Sequence, residues 1–327
     1  MSLPDENAER ETLTNQVAES ATTNAAVLYR RAFALYDALT QEQKGMLGDW
    51  RTNVDASVEA ELCDKIRPIC DLMHQATALT NCDWGLKRPF TYETIGTLGP
   101  LSDSSRAIAR AGRWSAAHCR EEDTSGAVSD LVAASRLGHN LPPLLIGFLV
   151  DVAIQESALD FIAKHATTLA ASVDLRLPRF FEQGQFDEPL LRAVEGERDL
   201  TSDRFFGRTD DLRQLRDWET QYVKALQMQE AEYQDWLTGL HEAEKSNPLL
   251  GMTMSAIEPV VDKSRRASIT SAMVAAGLAV MRDGESSLPS HLDPATGEPF
   301  VYTQTDDGFE LRSGYEYRGE PLKLRFK

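Results

Sequence analysis

The sequence predicts a mainly α protein: an irregular helical bundle or degenerate helical array that ends in a small antiparallel β-meander. Apolar residues recur at helical spacing over most of the chain, and this period stops near Gly284. Short aromatic and β-branched runs separated by turn residues follow. We therefore expect a flexible N-terminal segment over residues 1–23, a helical domain over 24–285, and a meander over 286–327 packed on the helical body.

Two amphipathic helices are predicted at the start of the helical domain. Apolar residues spaced at i, i+3, i+4 and i+7 run from Ala25 to Leu39, with Asn24 as the N-cap. A second apolar stripe runs over Val54–Leu79. Pro68 lies inside that stripe, and we expect it to kink or split the helix because proline lacks the amide hydrogen of the helical ladder.

The middle of the chain predicts a loop followed by three helices. Three glycines and two prolines interrupt the period over Asn81–Pro100, which predicts the loop. Helices are predicted over Leu101–Cys119 and Ser125–Leu137, and a long apolar helix follows from Pro142 to Leu169. Apolar residues cover more than one face of this last helix, which is typical of a central, buried helix.

The second half of the helical domain is acidic. Residues 181–250 carry sixteen acidic and eight basic side chains. A long polar helix is predicted over about Asp210–Glu244, and the last helix over about Met254–Met281. The acidic run formed by Asp203, Asp210, Asp211 and Asp217 lacks the spacing of a calcium loop, so a solvated face is the better interpretation.

Three short runs predict the strands of the meander: Phe300–Thr305, Gly308–Tyr317 and Pro321–Lys327. The dipeptide Asp307-Gly308 stands between the first two runs. Aspartate followed by glycine between alternating apolar residues is a strong hairpin signal.

Charge and length exclude several functional classes. The chain has 327 residues and a formal net charge of −17. This balance argues against nucleic acid and anionic lipid as partners, since both need lysine and arginine on the protein. No run approaches the ~20 apolar residues of a membrane-spanning helix, and the first residues lack the apolar core of a signal peptide. A signal or anchor preceding Met1 is left open.

The familiar local motifs of catalysis and of cofactor or metal binding are absent from the sequence. It has no G-x-S-x-G, no Walker or dinucleotide glycine loop, and no H-E-x-x-H. The six histidines include no pair at i, i+3 or i, i+4. His118 and Cys119 are neighbours, and adjacent residues on a helix point about 100° apart, so they cannot form a local thiolate pair. We predict no cofactor and no metal.

One carboxylate cluster, Glu195-Gly-Glu197-Arg198-Asp199, carries the candidate site residues. If the protein is an enzyme, Glu195 and Glu197 are the first carboxylates to test, as a general acid–base pair of the glycosidase type. The favoured interpretation is an ion-paired turn. In that case Arg198 or Arg192 pairs with the glutamates and lowers their pKa.

The four cysteines, Cys63, Cys70, Cys82 and Cys119, leave the disulfide state open. Buried thiols and at least one bridge are both compatible with the spacing. Cys63 and Cys70 lie about two turns apart, too far for a bridge within an intact helix, although a break at Pro68 could bring them together.

Three stretches carry a resemblance to known proteins. They are Asn24–Phe33, then Cys82–Leu86 followed by Arg113–Leu141, and finally Leu288–Leu311 with its Asp293-Pro-Ala-Thr-Gly-Glu-Pro segment. Together they resemble uncharacterised envelope-associated helical proteins of planctomycete- and verrucomicrobia-type bacteria. The third stretch also resembles the C-terminal end of type II secretion pseudopilins, although this chain has no apolar N-terminal helix of the pilin kind.

The resemblance implies an extracytoplasmic address, in the periplasm or cell envelope, where thiols can pair. The function we expect is a non-catalytic interaction or assembly protein that binds a protein partner. Two alternatives remain: a carboxylate-dependent hydrolase of cell-wall or polysaccharide substrates that uses Glu195 and Glu197, and a helical binder of an apolar small molecule held beside the Leu144–Leu169 helix. The sequence leaves the oligomeric state open.

Overall fold

A computed structural model describes residues 23–51, 53–120, 123–170, 186–204, 217–218, 221, 224–225, 228–317 and 319–327. The protein is mainly helical and ends in a three-stranded antiparallel sheet, so the predicted fold class is confirmed. The chain divides into two compact units, Met1–Leu86 with Ser104–Asn140 and Lys87–Asp103 with Leu141–Lys327. The predicted segment boundaries at residues 23 and 285 stay a prediction, and residues 1–22 lie outside the described part.

The described helices of the first unit include two that follow the predicted amphipathic stripes Ala25–Leu39 and Val54–Leu79, and one, Gln41–Met46, that was not predicted. They are α1 (Ala25–Asp37), α2 (Gln41–Met46), α3 (Ala56–Thr77), the C-terminal half of α4 (Tyr92–Trp114), a π-helical turn (Ser115–Cys119) and α5 (Thr124–His139). Asn24 is the N-cap of α1 as predicted, since its side chain accepts a hydrogen bond from the Ala26 amide.

Pro68 does not split α3 into two helices, so that part of the prediction is wrong, and a kink at Pro68 stays a prediction. The helix continues through the proline, which is exposed, from Ala56 to Thr77. An interior proline costs about 3 kcal/mol. Eight buried residues share this helix, among them Ile66 and Ile69 with no exposure. Burying a single large apolar side chain contributes about 1.5–3 kcal/mol, so the stripe outweighs the proline.

The predicted loop Asn81–Pro100 is also partly wrong, because α4 begins at Tyr92 and contains Pro100. Leu98 is buried in this part of the helix, so tertiary packing opposes the poor local helix propensity. Trp84, in the non-helical part of the predicted loop, packs on α1. The Trp84 ring stacks on Tyr29 and Phe33 at centroid distances of 5.9 and 6.1 Å.

The described elements of the second unit are the N-terminal part of α4, then α6 (Leu145–Lys164), α7 (Ala166–Ala170), α8 (Asp187–Arg204), α9 (Glu230–Ser246), α10 (Pro248–Asp283), a 3₁₀ helix (Glu285–Ser290), β1 (Val301–Thr305), β2 (Gly308–Tyr317) and β3 (Glu320–Phe326). Of the predicted polar helix Asp210–Glu244, residues 210–216, 219–220, 222–223 and 226–227 lie outside the described part. The prediction of one continuous helix is wrong, because Met228 and Gln229 are not helical and α9 begins at Glu230.

The core of the second unit forms where α6, α8, α9 and α10 meet. Phe148 and Val152 of α6 pack with buried residues of α8, α9 and α10. Helix α6 is buried on several faces, as predicted, but it begins at Leu145 rather than at Pro142. Helix α10 is longer than the predicted Met254–Met281 and includes Pro259.

The sheet is a meander in the order β1-β2-β3. Val301 pairs with Arg312 across the first hairpin, and Phe309 pairs with Phe326 across the second. The inner face packs on α10, where Gly277 leaves room for the Phe326 ring: a Cβ there would lie 2.1 Å from it. The strands occupy the three predicted runs.

Buried Asp293 connects the turn before the sheet to strand β2. Its carboxylate accepts hydrogen bonds from the Ser313 hydroxyl and the Gly314 amide, both at 2.8 Å, and from the Ala295 amide at 2.9 Å. A Cβ at Gly314 would lie 2.3 Å from the Thr296 methyl group, so glycine is needed for this close approach. The Asp293–Gly297 stretch therefore has a structural role.

Candidate functional site

The densest buried polar cluster of the first unit surrounds Asp130 on α5, whose side chain has no solvent exposure. The Ser115 hydroxyl donates to Asp130 Oδ2 at 2.7 Å, and Arg120 Nε donates to the same oxygen at 3.1 Å. His74 Nε2 of α3 lies 2.8 Å from Asp130 Oδ1, although not in the direction that a hydrogen bond needs. The cluster joins α3, α5 and the π-helical turn.

The contacts of Asp130 stabilise its ionised form. Burial alone would raise its pKa, but the contacts with His74, Ser115 and Arg120 outweigh burial and lower it. The same hydrogen bond raises the pKa of the Arg120 guanidinium. Both shifts favour the charged forms, as in an ion pair.

Serine, histidine and aspartate also form catalytic triads, but their arrangement differs here. In a triad the serine donates to histidine, and the aspartate orients that histidine. Here Ser115 donates to Asp130 directly. A carboxylate with a lowered pKa is a weak base and does not activate the hydroxyl. The arrangement therefore supports a structural role.

The structure links Cys63 of α3 to Cys119 of the π-helical turn, with Cα atoms 5.7 Å apart. The Cys63–Cys70 pairing, left open by the sequence, does not occur. Cys70 and Cys82 are free thiols. Burial raises the pKa of each to about 12, so both are protonated at neutral pH and are poor nucleophiles.

His118, next to Cys119, contacts three residues: Glu59, Trp50 and Trp114. Its Nδ1 lies 2.7 Å from a Glu59 carboxylate oxygen, and its Nε2 donates to the Trp50 carbonyl at 2.7 Å. The ring stacks on buried Trp114 at 4.2 Å. The sequence excludes a local pairing of His118 with Cys119, and the structure adds that this sulfur is already in the disulfide.

The two candidate glutamates lie within helix α8, so the predicted turn is wrong. Gly196 between them allows α8 to approach the segment before α6, because a Cβ there would lie 1.9 Å from the Pro143 carbonyl oxygen. Glu195 is exposed. Glu197 accepts a hydrogen bond from the Leu145 amide at 3.0 Å.

The predicted effect of arginine on these glutamates is also wrong for Glu197. Burial raises its pKa, and the Leu145 amide offsets that rise only in part. Arg192 pairs instead with Glu188, at 3.7 Å. The Arg198 side chain lies outside the described part. The N-cap residue of α6, Leu144, makes no side-chain capping bond, so Glu197 supplies an acceptor for this helix from a neighbouring helix.

A second buried cluster, which sequence analysis missed, surrounds Arg265 on α10. Its side chain is 2% exposed, and Nη1 donates to the Ala225 and Met228 carbonyls, each at 2.7 Å. Nη2 pairs with Glu230 at 3.1 Å, and the guanidinium lies 4.1 Å from the centre of the Tyr233 ring. The sequence gives no local signal for this cluster, because Arg265 stands among polar neighbours, between Ser264 and Arg266.

Tyrosines complete this second cluster. The Tyr315 hydroxyl of β2 donates to Asp262. Burial raises the pKa of Tyr233 and of Tyr315, so both hydroxyls stay protonated. Arg265 and Tyr315 thereby connect α10 to the chain preceding α9 and to the sheet.

The described residues contain neither a candidate metal site nor a helix that could span a membrane. No group of three histidine, cysteine, aspartate or glutamate side chains that could hold a metal occurs there. No described helix is both long and apolar enough to span a bilayer. Most of the predicted acidic run from Asp203 to Asp217 lies outside the described side chains.

Comparison with known proteins yields no match to a family model, to a curated protein or to a solved structure.

Proposed function

We propose that this chain is a non-catalytic interaction or assembly protein of the bacterial cell envelope. The observation that carries the proposal is that three buried or half-buried charges among the described residues are used in packing. Asp130, Glu197 and Arg265 each bond to neighbours within their own unit. Such groups define packing and leave the excess of acidic charge on the surface, where it favours cationic partners.

The disulfide supports the envelope address. Disulfides persist in oxidising compartments such as the periplasm and are rare in the cytosol of most organisms. The Cys63–Cys119 bridge joins positions that are 56 residues apart in the chain. An oxidising compartment would keep this bridge closed.

The hydrolase alternative has one supporting observation. A general acid needs a carboxyl group whose pKa is raised, and burial raises the pKa of Glu197. Its hydrogen bond to the first turn of α6 favours a packing role instead. The alternative therefore ranks second.

An assay on wall polymers separates the two functions. Purified protein is incubated with peptidoglycan sacculi and with soluble polysaccharides, and released fragments are measured. We expect no release above a heat-denatured sample, for the wild type and for Glu197→Gln. The matched control is Glu188→Gln, an exposed carboxylate on the same helix. Hydrolysis that is lost in Glu197→Gln and kept in Glu188→Gln would overturn the proposal.

A further inference from the structure

The two edges of the C-terminal sheet differ in how they are protected. Edge strands expose unpaired backbone groups, and proteins usually blunt them with proline, lysine or other charges. Strand β3 carries Pro321, Lys323 and Arg325 and packs against α6 and α10. Strand β1 carries Val301-Tyr302-Thr303-Gln304-Thr305, with no proline and no charge.

The β1 edge is open among the described residues. Strand β1 pairs with β2 on one side, and no described strand pairs with it on the other. Val301 is 48% exposed, and Leu292, in the isolated bridge to Pro299 just before the strand, is 53% exposed. An extended segment could therefore bond to the backbone of β1 and cover these two apolar side chains.

The charges around β1 indicate the chemistry of that segment. Glu298 precedes the strand and Asp306 follows it, and both are exposed with no ion-pair partner among the described residues. The nearby acids Asp307 and Glu310 already pair with basic residues of the C-terminal strand and its end, at 2.6 and 3.6 Å. The open carboxylates thus lie at the two ends of the strand, and the chain as a whole carries −17.

We propose that β1 is a docking strand for an extended, basic segment of a partner protein, which adds to the sheet as a fourth strand. The inference rests on the proposed function and names the partner's chemistry. The segment alternates β-branched residues, which cover Val301, with lysine or arginine at its ends, opposite Glu298 and Asp306.

A second copy of the chain fits this edge less well. In antiparallel pairing centred on Thr303, Asp306 of one copy stands opposite Phe300 of the other, with Glu298 diagonal to it. Like charges at such a diagonal repel, and two chains of −17 repel as a whole. With a basic partner, both the local interaction with Glu298 and Asp306 and the interaction of the net charges become attractive.

Binding to a defined peptide tests the proposal. The probe is a capped, fluorescein-labelled peptide of alternating valine and threonine with two lysines at each end. The control peptide has glutamates in place of the lysines. We expect saturable binding of the basic peptide by the full chain, at least tenfold tighter than the acidic one. Hydrogen exchange of the backbone amides in 301–305 should slow on binding.

Matched variants test whether Glu298 and Asp306 contribute to binding of the basic peptide. The double variant Glu298→Gln with Asp306→Asn should weaken binding of the basic peptide several-fold and reduce its salt dependence. The control is Glu316→Gln with Glu320→Gln, two exposed carboxylates of the β2–β3 hairpin rather than of the β1 edge, and it should bind like the wild type.

Three results would overturn the proposal. They are equal binding of both peptides, protection outside 301–305, and a concentration-dependent dimer that protects 301–305 by itself. If the peptide does not bind while cross-links to an envelope partner persist, this site is wrong and the proposed function stands. Hydrolysis lost in Glu197→Gln rejects the proposed function through a different measurement.

Discussion

At the scale of single residues, the described buried charges are better explained by packing than by catalysis. Asp130 is enclosed, and its oxygens are engaged by Ser115, Arg120 and His74. Removing one member of such a cluster leaves the others without a counter-charge. Breaking a buried ion pair in this way typically costs about 3–5 kcal/mol.

We therefore predict that Asp130→Asn lowers the free energy of unfolding by about 3 kcal/mol. Denaturant titration followed by circular dichroism measures this. The control is Asp123→Asn, an exposed residue 3.6 Å from the same arginine, which stays an N-cap as asparagine. It should cost less than about 0.5 kcal/mol. Equal effects of the two substitutions would contradict a structural role for the buried carboxylate.

The same carboxylate predicts an acid limit of stability. Its pKa is lower in the folded protein than in the unfolded chain, so its contribution is present above the unfolded pKa, near ~3.9. That contribution is lost as the pH falls through the folded pKa. The stability difference between wild type and Asp130→Asn should shrink below about pH 4. A difference that grows on acidification would contradict the lowered pKa.

Gly196 gives the sharpest steric prediction at this scale. In Gly196→Ala the new Cβ would lie 1.9 Å from the Pro143 carbonyl oxygen, so the backbone must shift. We expect a loss of about 1–3 kcal/mol. Gly96→Ala is the control, since α4 offers open space there, and it should gain up to about 1 kcal/mol through helix propensity. Thermal denaturation of both variants measures these changes, and an unchanged stability of Gly196→Ala would contradict this packing.

At the scale of elements, contacts between segments distant in the sequence determine features that local residue patterns do not predict. Sequence patterns predicted where α1, α3, α6 and the strands lie, because burial imposes a period on the residues. They failed at Pro100, which lies inside α4, and in allowing a split at Pro68, because tertiary packing offsets the low helix propensity of proline. They also failed at Glu197, because its partner, the Leu145 amide, is distant in sequence.

Glu197 predicts how the start of α6 responds to pH. Its folded pKa is raised above the unfolded value, so its contribution is fully present below the unfolded pKa and declines as the pH rises through the folded one. Glu197→Gln keeps an acceptor and removes the charge. We expect its stability relative to wild type to increase from pH 4 to pH 8. Glu197→Ala, which loses the acceptor, should cost about 1 kcal/mol.

Chemical denaturation across that pH range measures the effect, with Glu188→Gln as the control for removing an exposed charge from the same helix. A relative stability of Glu197→Gln that decreases with rising pH would contradict the raised pKa.

The Cys63–Cys119 disulfide links the π-helical turn to α3. The disulfide closes a loop over a sequence separation of 56 residues, and the chain-entropy model gives about 4 kcal/mol for a loop of that size. A dithiol reductant should lower the unfolding free energy by roughly that amount. Cys82→Ser should respond to reductant like the wild type, and Cys63→Ser with Cys119→Ser should not respond. Insensitivity of the wild type would contradict the bridge.

At the scale of the whole molecule, fold class and chemistry differ in how far the sequence reveals them. Periodicity and turn residues predict the mainly α class with its C-terminal meander, since these signals are local. The clusters around Asp130 and Arg265 join helices far apart in the sequence, and no spacing of residues along the chain predicts them. The Cys63–Cys119 pairing depends on the same long-range packing.

The central claim, that the chain assembles with a protein partner in the cell envelope, is tested most directly in the cell that produces it. The tagged chain is cross-linked in intact cells, and linked peptides are identified by mass spectrometry after cell fractionation. Thiols are counted on denatured, unreduced protein from the same preparation. We expect the chain in the envelope fraction, two reactive thiols from Cys70 and Cys82, and reproducible cross-links to one envelope protein. A cytosolic chain with four reactive thiols and no recurrent cross-link would contradict it.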